Sequence, residues 1–153
     1  SALIFIIISI FHKILKEGTM DSRKEWFNVG DYKKLANEAG NMKTSSPKQT
    51  PKDMQKLMEW YNSLPKVTIK EIIEFHARFE KIHPFQDGNG RIGRFLMLKQ
   101  MLENNLPLVI VSWDTEDLYR NSLNLCSIGN YSSLSTYLKS LTDFREDYKE
   151  FWT

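Results

Sequence analysis

The side chains best suited to chemistry lie close together, in the twelve residues 83–94 (HPFQDGNGRIGR). An imidazole titrates near neutral pH, so His83 is a candidate general base. Asp87 is a candidate Mg²⁺ ligand, because proteins usually hold this ion with one or two carboxylates, substrate phosphate oxygens and water. This pair of groups predicts proton abstraction beside a metal-bound polyphosphate.

A glycine-rich junction follows Asp87. Gly88, Asn89 and Gly90 all tolerate positive φ, which lets successive backbone N–H groups point the same way, so we expect an anion-binding nest there. A helix predicted to begin near Arg91 adds free amides and the positive end of its dipole. Arg91 and Arg94 are three residues apart and project from about the same face of that helix. The junction is therefore predicted to bind several phosphates.

Helices must position this segment. Apolar residues recur at helical spacing and predict helices over about 2–16, 50–62, 68–83, 91–103, 115–129 and 132–144, the first of them buried. Thr68 and Glu71 have the spacing of a capping box, and Pro84 disfavours helical geometry at His83, so a central helix is expected between them. Residues 37–46 are polar and contain Gly40, which predicts a loop or a short hairpin.

Length and composition restrict the class of protein. The chain has 153 residues, enough for one domain, and its 41% hydrophobic and 26% charged residues are those of a globular protein. A formal net charge of +2 is too small for a general nucleic-acid surface. The single cysteine, Cys126, excludes an intrachain disulfide and favours a cytoplasmic location. The apolar run of residues 2–11 is too short to span a membrane, so no membrane partner is expected.

Residues 83–94 match the signature of the Fic (filamentation induced by cAMP) family. That signature reads histidine, any residue, phenylalanine, any residue, an acidic residue, Gly-Asn-Gly-Arg, any two residues and arginine. Every specified position is present: His83, Phe85, Asp87, Gly88, Asn89, Gly90, Arg91 and Arg94. The chain resembles this family over about residues 12–141, which implies an all-α, Fic-type helical domain with a short β-hairpin flap.

The resemblance also implies an activity. Members of the family transfer AMP from Mg²⁺-bound ATP to a Ser, Thr or Tyr hydroxyl of a target protein and release pyrophosphate. By position, His83 would deprotonate the hydroxyl, Phe85 would anchor the loop in the core, and Asp87 would hold Mg²⁺. The remaining motif residues would bind ATP: Gly88, Asn89 and Gly90 at the α- and β-phosphates, and Arg91 and Arg94 at the phosphate tail.

The polar segment before the second predicted helix resembles the family's flap, which aligns a target by strand-like pairing. The resemblance assigns target docking to eight residues: Asn37, Glu38, Ala39, Gly40, Asn41, Met42, Lys43 and Thr44. Tyr119 occupies a position where relatives often place an aromatic near the nucleotide base, and core packing explains it equally well. His76 lies seven residues before His83, on nearly the same helix face, and is expected to be a buried structural residue.

Three alternatives to AMP transfer remain open from the sequence. Divergent relatives resembling Doc act as phosphotransferases or other nucleotidyl transferases, but they commonly carry lysine at the second glycine of the motif, and Gly90 is intact. A nucleotide-binding regulatory module would normally have lost the histidine or an arginine, and neither is lost. Removal of AMP from modified proteins uses the same residues when a regulatory glutamate is present.

Inhibition is expected to come from outside residues 1–153. Many relatives carry a helix with Ser or Thr, three residues, Glu, then Gly or Asn, whose glutamate pairs with the arginine that corresponds to Arg94. Residues 142–146 come nearest, but Asp147 follows Glu146, and this helix is expected to belong to the core. We therefore expect an unrestrained Arg94 and an inhibitor that is an antitoxin-like partner or an upstream segment. Because the chain begins with Ser1, residues 1–153 are interpreted as a single Fic domain from a longer chain.

Replacing His83 by alanine is expected to leave ATP binding largely intact and to abolish transfer, because the base acts on the incoming hydroxyl and not on ATP. Calorimetric ATP affinities and transfer rates of the two proteins test this. Transfer by the variant at the wild-type rate would remove His83 from the reaction.

Overall fold

Helices dominate the computed structural model of the chain, which describes residues 2–151. The α-helices are α1 (Ala2–Lys16), α2 (Thr50–Asn62), α3 (Ile69–Ile82), α4 (Asn89–Glu103), α5 (Glu116–Cys126), α6 (Ser132–Ser140) and the single-turn α7 (Phe144–Asp147). Short 3₁₀ helices occur at Asp21–Arg23, Trp113–Thr115 and Lys149–Phe151. Between α1 and α2, strands β1 (Glu38–Ala39) and β2 (Met42–Lys43) form an antiparallel hairpin with Glu38 opposite Lys43. The predicted all-α fold with a short β-hairpin is confirmed.

Both ends of α3 have a local cause. At its start, the backbone N–H of Thr68 donates to the Glu71 carboxylate at 2.8 Å, as in a capping box. At its end, the N–H of His83 donates to the carbonyl of Phe79 at 2.9 Å, and His83 has a φ of 51°. This left-handed residue, followed by Pro84, stops the helix. His83 thus becomes the first residue of the loop that leads to α4.

The prediction that α1 is a buried helix is wrong. Only one face is buried, and it carries Ile8, His12 and Lys16 at intervals of four residues. Three isoleucines on another face are exposed: Ile6, Ile10 and Ile14. Neither α1 nor any other helix between residues 2 and 151 has both the length and the hydropathy that crossing a bilayer requires. The buried face of α1 therefore places two polar side chains in the protein interior.

Contacts divide the chain into two compact units. The first contains the residues up to Pro65 together with Arg78–Gly93, and so includes α1, the hairpin, α2 and the loop before α4. The second contains Lys66–Ala77 and the residues from Arg94 onward. Its apolar core is formed by buried side chains of α3, α4, α5 and α6, among them Ile72, Met101 and Leu134.

Candidate active site

The loop between α3 and α4, residues 83–88, is irregular, yet groups from elsewhere donate to four of its carbonyls. Asn37 Nδ2 donates to the carbonyls of His83 (3.2 Å) and Phe85 (2.7 Å). The backbone N–H of Lys33 donates to the carbonyl of Pro84 (2.9 Å), and His12 Nε2 donates to that of Asp87 (3.1 Å). A buried backbone carbonyl without a donor is costly, so these bonds stabilise one path of the loop. The path is therefore set by α1 and by the segment that leads into the hairpin.

His12, on α1, supports the middle of this loop. Its ring stacks on Phe85, with ring centroids 4.1 Å apart. Its Nδ1 accepts from the N–H of Gly30 at 2.8 Å, so Nε2 carries the proton and donates to the carbonyl of Asp87. Burial lowers the pKa of His12, which favours the neutral ring that this arrangement requires. His12 is a structural support of the site.

The candidate base, His83, begins the loop, and its side chain is 18% exposed. Its Nδ1 lies 3.2 Å from the backbone carbonyl oxygen of Glu80 and 3.6 Å from the Glu80 carboxylate. Within residues 2–151, no hydrogen bond reaches the other ring nitrogen, Nε2. The last turn of α3 thus holds the ring by Nδ1 and leaves Nε2 without a hydrogen bond from this part of the chain.

Asp87 carries the candidate metal-binding carboxylate, and its side chain is 52% exposed. The buried ammonium of Lys16 lies 2.6 Å from Oδ2, and Arg91 Nη2 lies 3.6 Å from the same oxygen. Partial burial alone would raise the pKa of Asp87, but hydrogen bonds from Lys16 and from the backbone N–H of Gly88 hold it below its ordinary value. The carboxylate is therefore ionised at neutral pH, as a metal ligand must be.

This donor set fits Mg²⁺ held jointly by protein and nucleotide. Among the described residues, no cluster of three or more His, Cys, Asp or Glu side chains is present that would bind a metal by itself. The ion pairs of Asp87 in this part of the chain all use Oδ2, so the other carboxylate oxygen has no cation partner. Such a single carboxylate suits an ion whose remaining ligands are phosphate oxygens and water.

The glycine-rich junction differs from the predicted nest. Gly88 has a φ of 85°, whereas Asn89 and Gly90 already lie in α4 and do not have positive φ. The side chain of Asn89 is buried and closes the loop, because Oδ1 accepts from Phe85 N–H at 2.8 Å and Nδ2 donates to Phe85 O at 2.7 Å. Asn89 can therefore contact a phosphate only through its backbone. α4 begins two residues earlier than predicted, so of the three residues of the predicted nest only Gly88 has a positive φ.

Free backbone amides at the start of α4 replace that nest. The N–H of Ile92 bonds to the carbonyl of Gly88 at 3.1 Å, which is the first bond of helical spacing in this segment. The amides of Asn89, Gly90 and Arg91 precede it and have no acceptor within the helix. Such amides and the positive end of a helix dipole attract anions, and here they lie directly after Asp87.

Arg94, the second motif arginine, follows on α4 and belongs to the second unit. Its guanidinium lies 5.8 Å from the ring centroid of Tyr119, as a cation–π contact. Tyr119 is only 2% exposed, and its hydroxyl lies 2.5 Å from His76 Nε2. Of the two interpretations of Tyr119, the structure supports core packing, and His76 is a buried residue as predicted.

The helix that contains Glu146 does not belong to the core, contrary to prediction. α7 is a single turn, capped by the Asp143 side chain, which accepts from the N–H of Arg145. Glu146 is exposed, and its carboxylate lies 3.8 Å from Lys149 Nζ. Its ion pair is therefore a weak surface contact within the turn.

The hairpin contains six of the eight residues predicted for target docking, with Gly40 and Asn41 between its strands. Asn37 and Thr44 flank it instead, and Thr44 Oγ1 donates to the carbonyl of Asn37 at 2.7 Å. An open depression lined by residues 36–38 and 40–46 lies along this segment. Because Asn37 also bonds to two carbonyls of the loop, the base of the hairpin is attached to the loop that contains His83.

Lys33 joins the same segments at a second point. It is 3% exposed, and its Nζ donates to Asn37 Oδ1 (2.7 Å), Thr44 Oγ1 (3.2 Å) and the carbonyl of Ile82 (3.1 Å). All three acceptors are uncharged, and burial lowers the pKa of Lys33 to about 8. One buried ammonium thus connects both sides of the hairpin base to the end of α3.

Four residues that support the site carry weak sequence signals or none: His12, Lys16, Lys33 and Glu80. His12 and Lys16 are four residues apart in a largely apolar helix, and this spacing could have predicted a buried polar pair. Lys33 lies in an irregular polar stretch, and Glu80 lies in a charged part of α3. Residues of these types are usually exposed, so nothing local distinguishes them.

Comparison with known proteins identifies relatives of this arrangement. The model of the Fic/DOC family matches residues 6–101, which include the whole segment 83–94. The chain is 28% identical over 114 residues to the protein adenylyltransferase fic-1 of Caenorhabditis elegans, which covers 66% of this chain and 22% of that protein. The chain thus spans about a fifth of the length of this curated relative.

Solved structures agree with the fold. A Fic-domain-containing signalling protein from Bacteroides thetaiotaomicron is 27% identical, with a TM-score of 0.67 over 84% of this chain and 51% of its own. A segment of C. elegans Fic-1 is 22% identical, with a TM-score of 0.75 over 91% of this chain and 40% of its own. At that identity the second likeness shows the fold alone.

Replacing Gly88 by alanine is expected to destabilise the chain more than the same change at Gly129. Both glycines have strongly positive φ, but a Cβ at Gly88 would meet Leu15 Cδ2 at 2.9 Å, whereas nothing lies within 4 Å of one at Gly129. Both variants incur backbone strain of about 1–3 kcal/mol, but only the alanine at position 88 also meets a steric clash. Chemical denaturation measures the two losses in free energy of unfolding. Equal losses would show that α1 does not restrict residue 88.

The stability of the chain relative to a Lys33→Met variant is expected to rise with pH. The pKa of Lys33 is about 8 when folded and 10.5 when unfolded, so between these values the unfolded chain binds more protons and folding is favoured as pH increases. Below about pH 7, Lys33 is protonated in both the folded and the unfolded chain, so the difference in stability between the wild type and Lys33→Met does not change with pH. Urea denaturation at several pH values between 6 and 10 tests this, with the exposed Lys34→Met as control. A difference that stays flat or falls above pH 8 would contradict it.

Proposed function

Because the chain belongs to the Fic/DOC family, we propose that it is a protein adenylyltransferase that transfers AMP from Mg²⁺-bound ATP to a Ser, Thr or Tyr hydroxyl of a target protein. The observation that carries this proposal is the order of groups along one loop. The imidazole of His83 begins it, the ionised carboxylate of Asp87 lies near its end, and the free amides of α4 follow directly. A base, a metal ligand and a phosphate site are the groups that this reaction needs.

In the transfer step, the hydroxyl oxygen of the target forms a bond to the α-phosphorus of ATP. The bond from that phosphorus to the α,β-bridging oxygen breaks, pyrophosphate leaves, and the hydroxyl proton passes to His83. Bound Mg²⁺ would be held by Asp87 and would neutralise charge on the phosphates. The amides of α4, with Arg91 and Arg94, would stabilise the negative charge that increases on the leaving group.

We assign target docking to the flap, residues 37–44. Its two strands are short, and Glu38 and Lys43 are exposed, so an extended segment of a target can add to the hairpin through backbone hydrogen bonds. Asn37 ties the base of this hairpin to the carbonyls of His83 and Phe85. A target held by the flap would therefore be held in register with the base.

Two radioactive forms of ATP distinguish this reaction from its alternatives. Label on the α-phosphate is expected to appear on protein, whether on this chain or on a lysate protein, and label on the γ-phosphate is not. Mass spectrometry should then find an AMP-sized addition on a hydroxyl residue. Transfer of the γ-label instead would establish a phosphotransferase, and transfer of neither would refute the proposal.

Matched variants locate the chemistry. His83→Ala is expected to abolish α-label transfer, and Asp87→Asn is expected to raise the Mg²⁺ concentration needed for half-maximal transfer. Asp114→Asn changes an exposed aspartate outside the motif and should alter neither quantity. An unchanged Mg²⁺ requirement in Asp87→Asn would remove this carboxylate from the metal site.

A further inference from the structure

Glu80 is a buried carboxylate, which is unusual, and it lies one helical turn before His83. The residue is 4% exposed, and its Oε1 has no hydrogen-bond partner among residues 2–151. Its Oε2 lies 3.6 Å from Nδ1 of His83. Removing a carboxylate from water without full compensation is costly, so the position calls for a reason other than stability.

Within the described part of the chain, the imidazole of His83 is the one ion-pair partner of Glu80. The buried ammonium of Lys33 does not pair with Glu80, because Lys33 donates its three hydrogen bonds to Ile82, Asn37 and Thr44. An ordinary structural glutamate in a helix would pair with a lysine or arginine or face water. Glu80 instead faces the candidate base.

The contacts of Nδ1 determine where the neutral ring carries its proton. Nδ1 faces two oxygens of Glu80, the backbone carbonyl at 3.2 Å and the carboxylate at 3.6 Å. The backbone carbonyl can only accept a hydrogen bond, so Nδ1 is the protonated nitrogen. Nε2 then has a free lone pair, and no hydrogen bond from residues 2–151 occupies it. That is the tautomer in which a histidine can accept a proton from a substrate.

We propose that Glu80 is a positioning residue, which holds His83 in the Nδ1–H tautomer and stabilises the imidazolium formed when Nε2 takes up a proton. The role in the reaction rests on the proposed adenylyl transfer, whereas the tautomer does not. When the hydroxyl proton reaches Nε2, the ring becomes positive 3.6 Å from a carboxylate that is already in place. In serine hydrolases a buried carboxylate also faces Nδ1 of the catalytic histidine, where it accepts a hydrogen bond and stabilises the imidazolium.

The left-handed backbone of His83 makes this contact possible. With a φ of 51°, the backbone leaves the helical path directly after α3, and the ring lies against the last turn, where Glu80 is three residues earlier. A non-glycine residue in this conformation is strained. The strain and the buried charge occur together at one turn and serve the same orientation of the ring.

The first test uses the wild-type chain without nucleotide, in which only three histidines contribute signals. Two-dimensional NMR of ¹⁵N-histidine-labelled protein above pH 7.5 separates protonated from unprotonated ring nitrogens, and a His83→Gln sample assigns the His83 signals. We expect the proton on Nδ1 in the neutral ring. A neutral ring protonated on Nε2 would overturn the proposal. Because this measurement needs neither a target nor transfer, it stands even if the proposed function fails.

The second test compares Glu80→Gln, which keeps the shape and removes the charge, with Glu59→Gln, an exposed glutamate on α2. The maximum rate of AMP transfer is expected to fall about 10- to 100-fold in Glu80→Gln, the range typical of partners that orient a metal-bound imidazole. The calorimetric ATP affinity should stay within about twofold, because the Glu80 side chain is buried against His83 and is not one of the groups proposed to bind ATP. A maximum rate within twofold of wild type would overturn the proposal.

Circular dichroism and thermal unfolding show whether each variant is folded. If Glu80→Gln does not fold, Glu80→Asp keeps the charge on a shorter side chain and is assayed in its place, with a smaller rate loss expected than for Glu80→Ala. Equal losses in these two variants would mean that the charge does not matter, and would overturn the role in catalysis. If the wild-type chain shows no AMP transfer either, the result would instead refute the adenylyltransferase proposal.

Discussion

The site depends on satisfying the backbone carbonyls of one irregular loop. Helices satisfy their own backbone, but residues 83–88 cannot, and an unbonded buried carbonyl costs about 1–3 kcal/mol. Groups distant in sequence supply most of the missing donors: His12 from α1, and Lys33 and Asn37 from the segment before β1. The neighbouring Asn89, at the start of α4, supplies a further one. The loop therefore has one favoured path, and the proposed base, His83, and the proposed metal ligand, Asp87, keep their separation.

The same bonds connect the segment proposed for target docking to the loop that contains the proposed base. Asn37 bonds to Lys33 and Thr44 on the side of the hairpin, and to the carbonyls of His83 and Phe85 on the side of the loop. One side-chain amide thus belongs to both structures. If a target pairs with the flap, its hydroxyl is positioned relative to His83 by short hydrogen bonds and not by a long flexible connection, which favours a reactive geometry.

Sequence predicts the parts of this site that local chemistry decides. The helical spacing of apolar residues, the capping pair Thr68 and Glu71, and the stop at Pro84 all act within a few residues, and the structure agrees with them. The motif residues of the segment 83–94 are predicted together because they too lie within a few residues of one another. Tertiary contacts decide the rest. Asn89 turns inward because Phe85 offers it a donor and an acceptor, and α1 buries His12 because the loop needs a donor there.

Several of these features make the folded chain less stable than it could be. Glycine at position 83 would relieve the strain of the left-handed backbone, and an apolar residue at position 33 or 80 would avoid burying a charge. All three destabilising features lie at or next to His83. They are the left-handed backbone of His83 itself, the buried ammonium of Lys33 bonded to the carbonyl of Ile82, and the carboxylate of Glu80 beside Nδ1. Local rules are broken together at one place and obeyed at both ends of α3, which is the pattern expected where a protein trades stability for a defined arrangement of reacting groups.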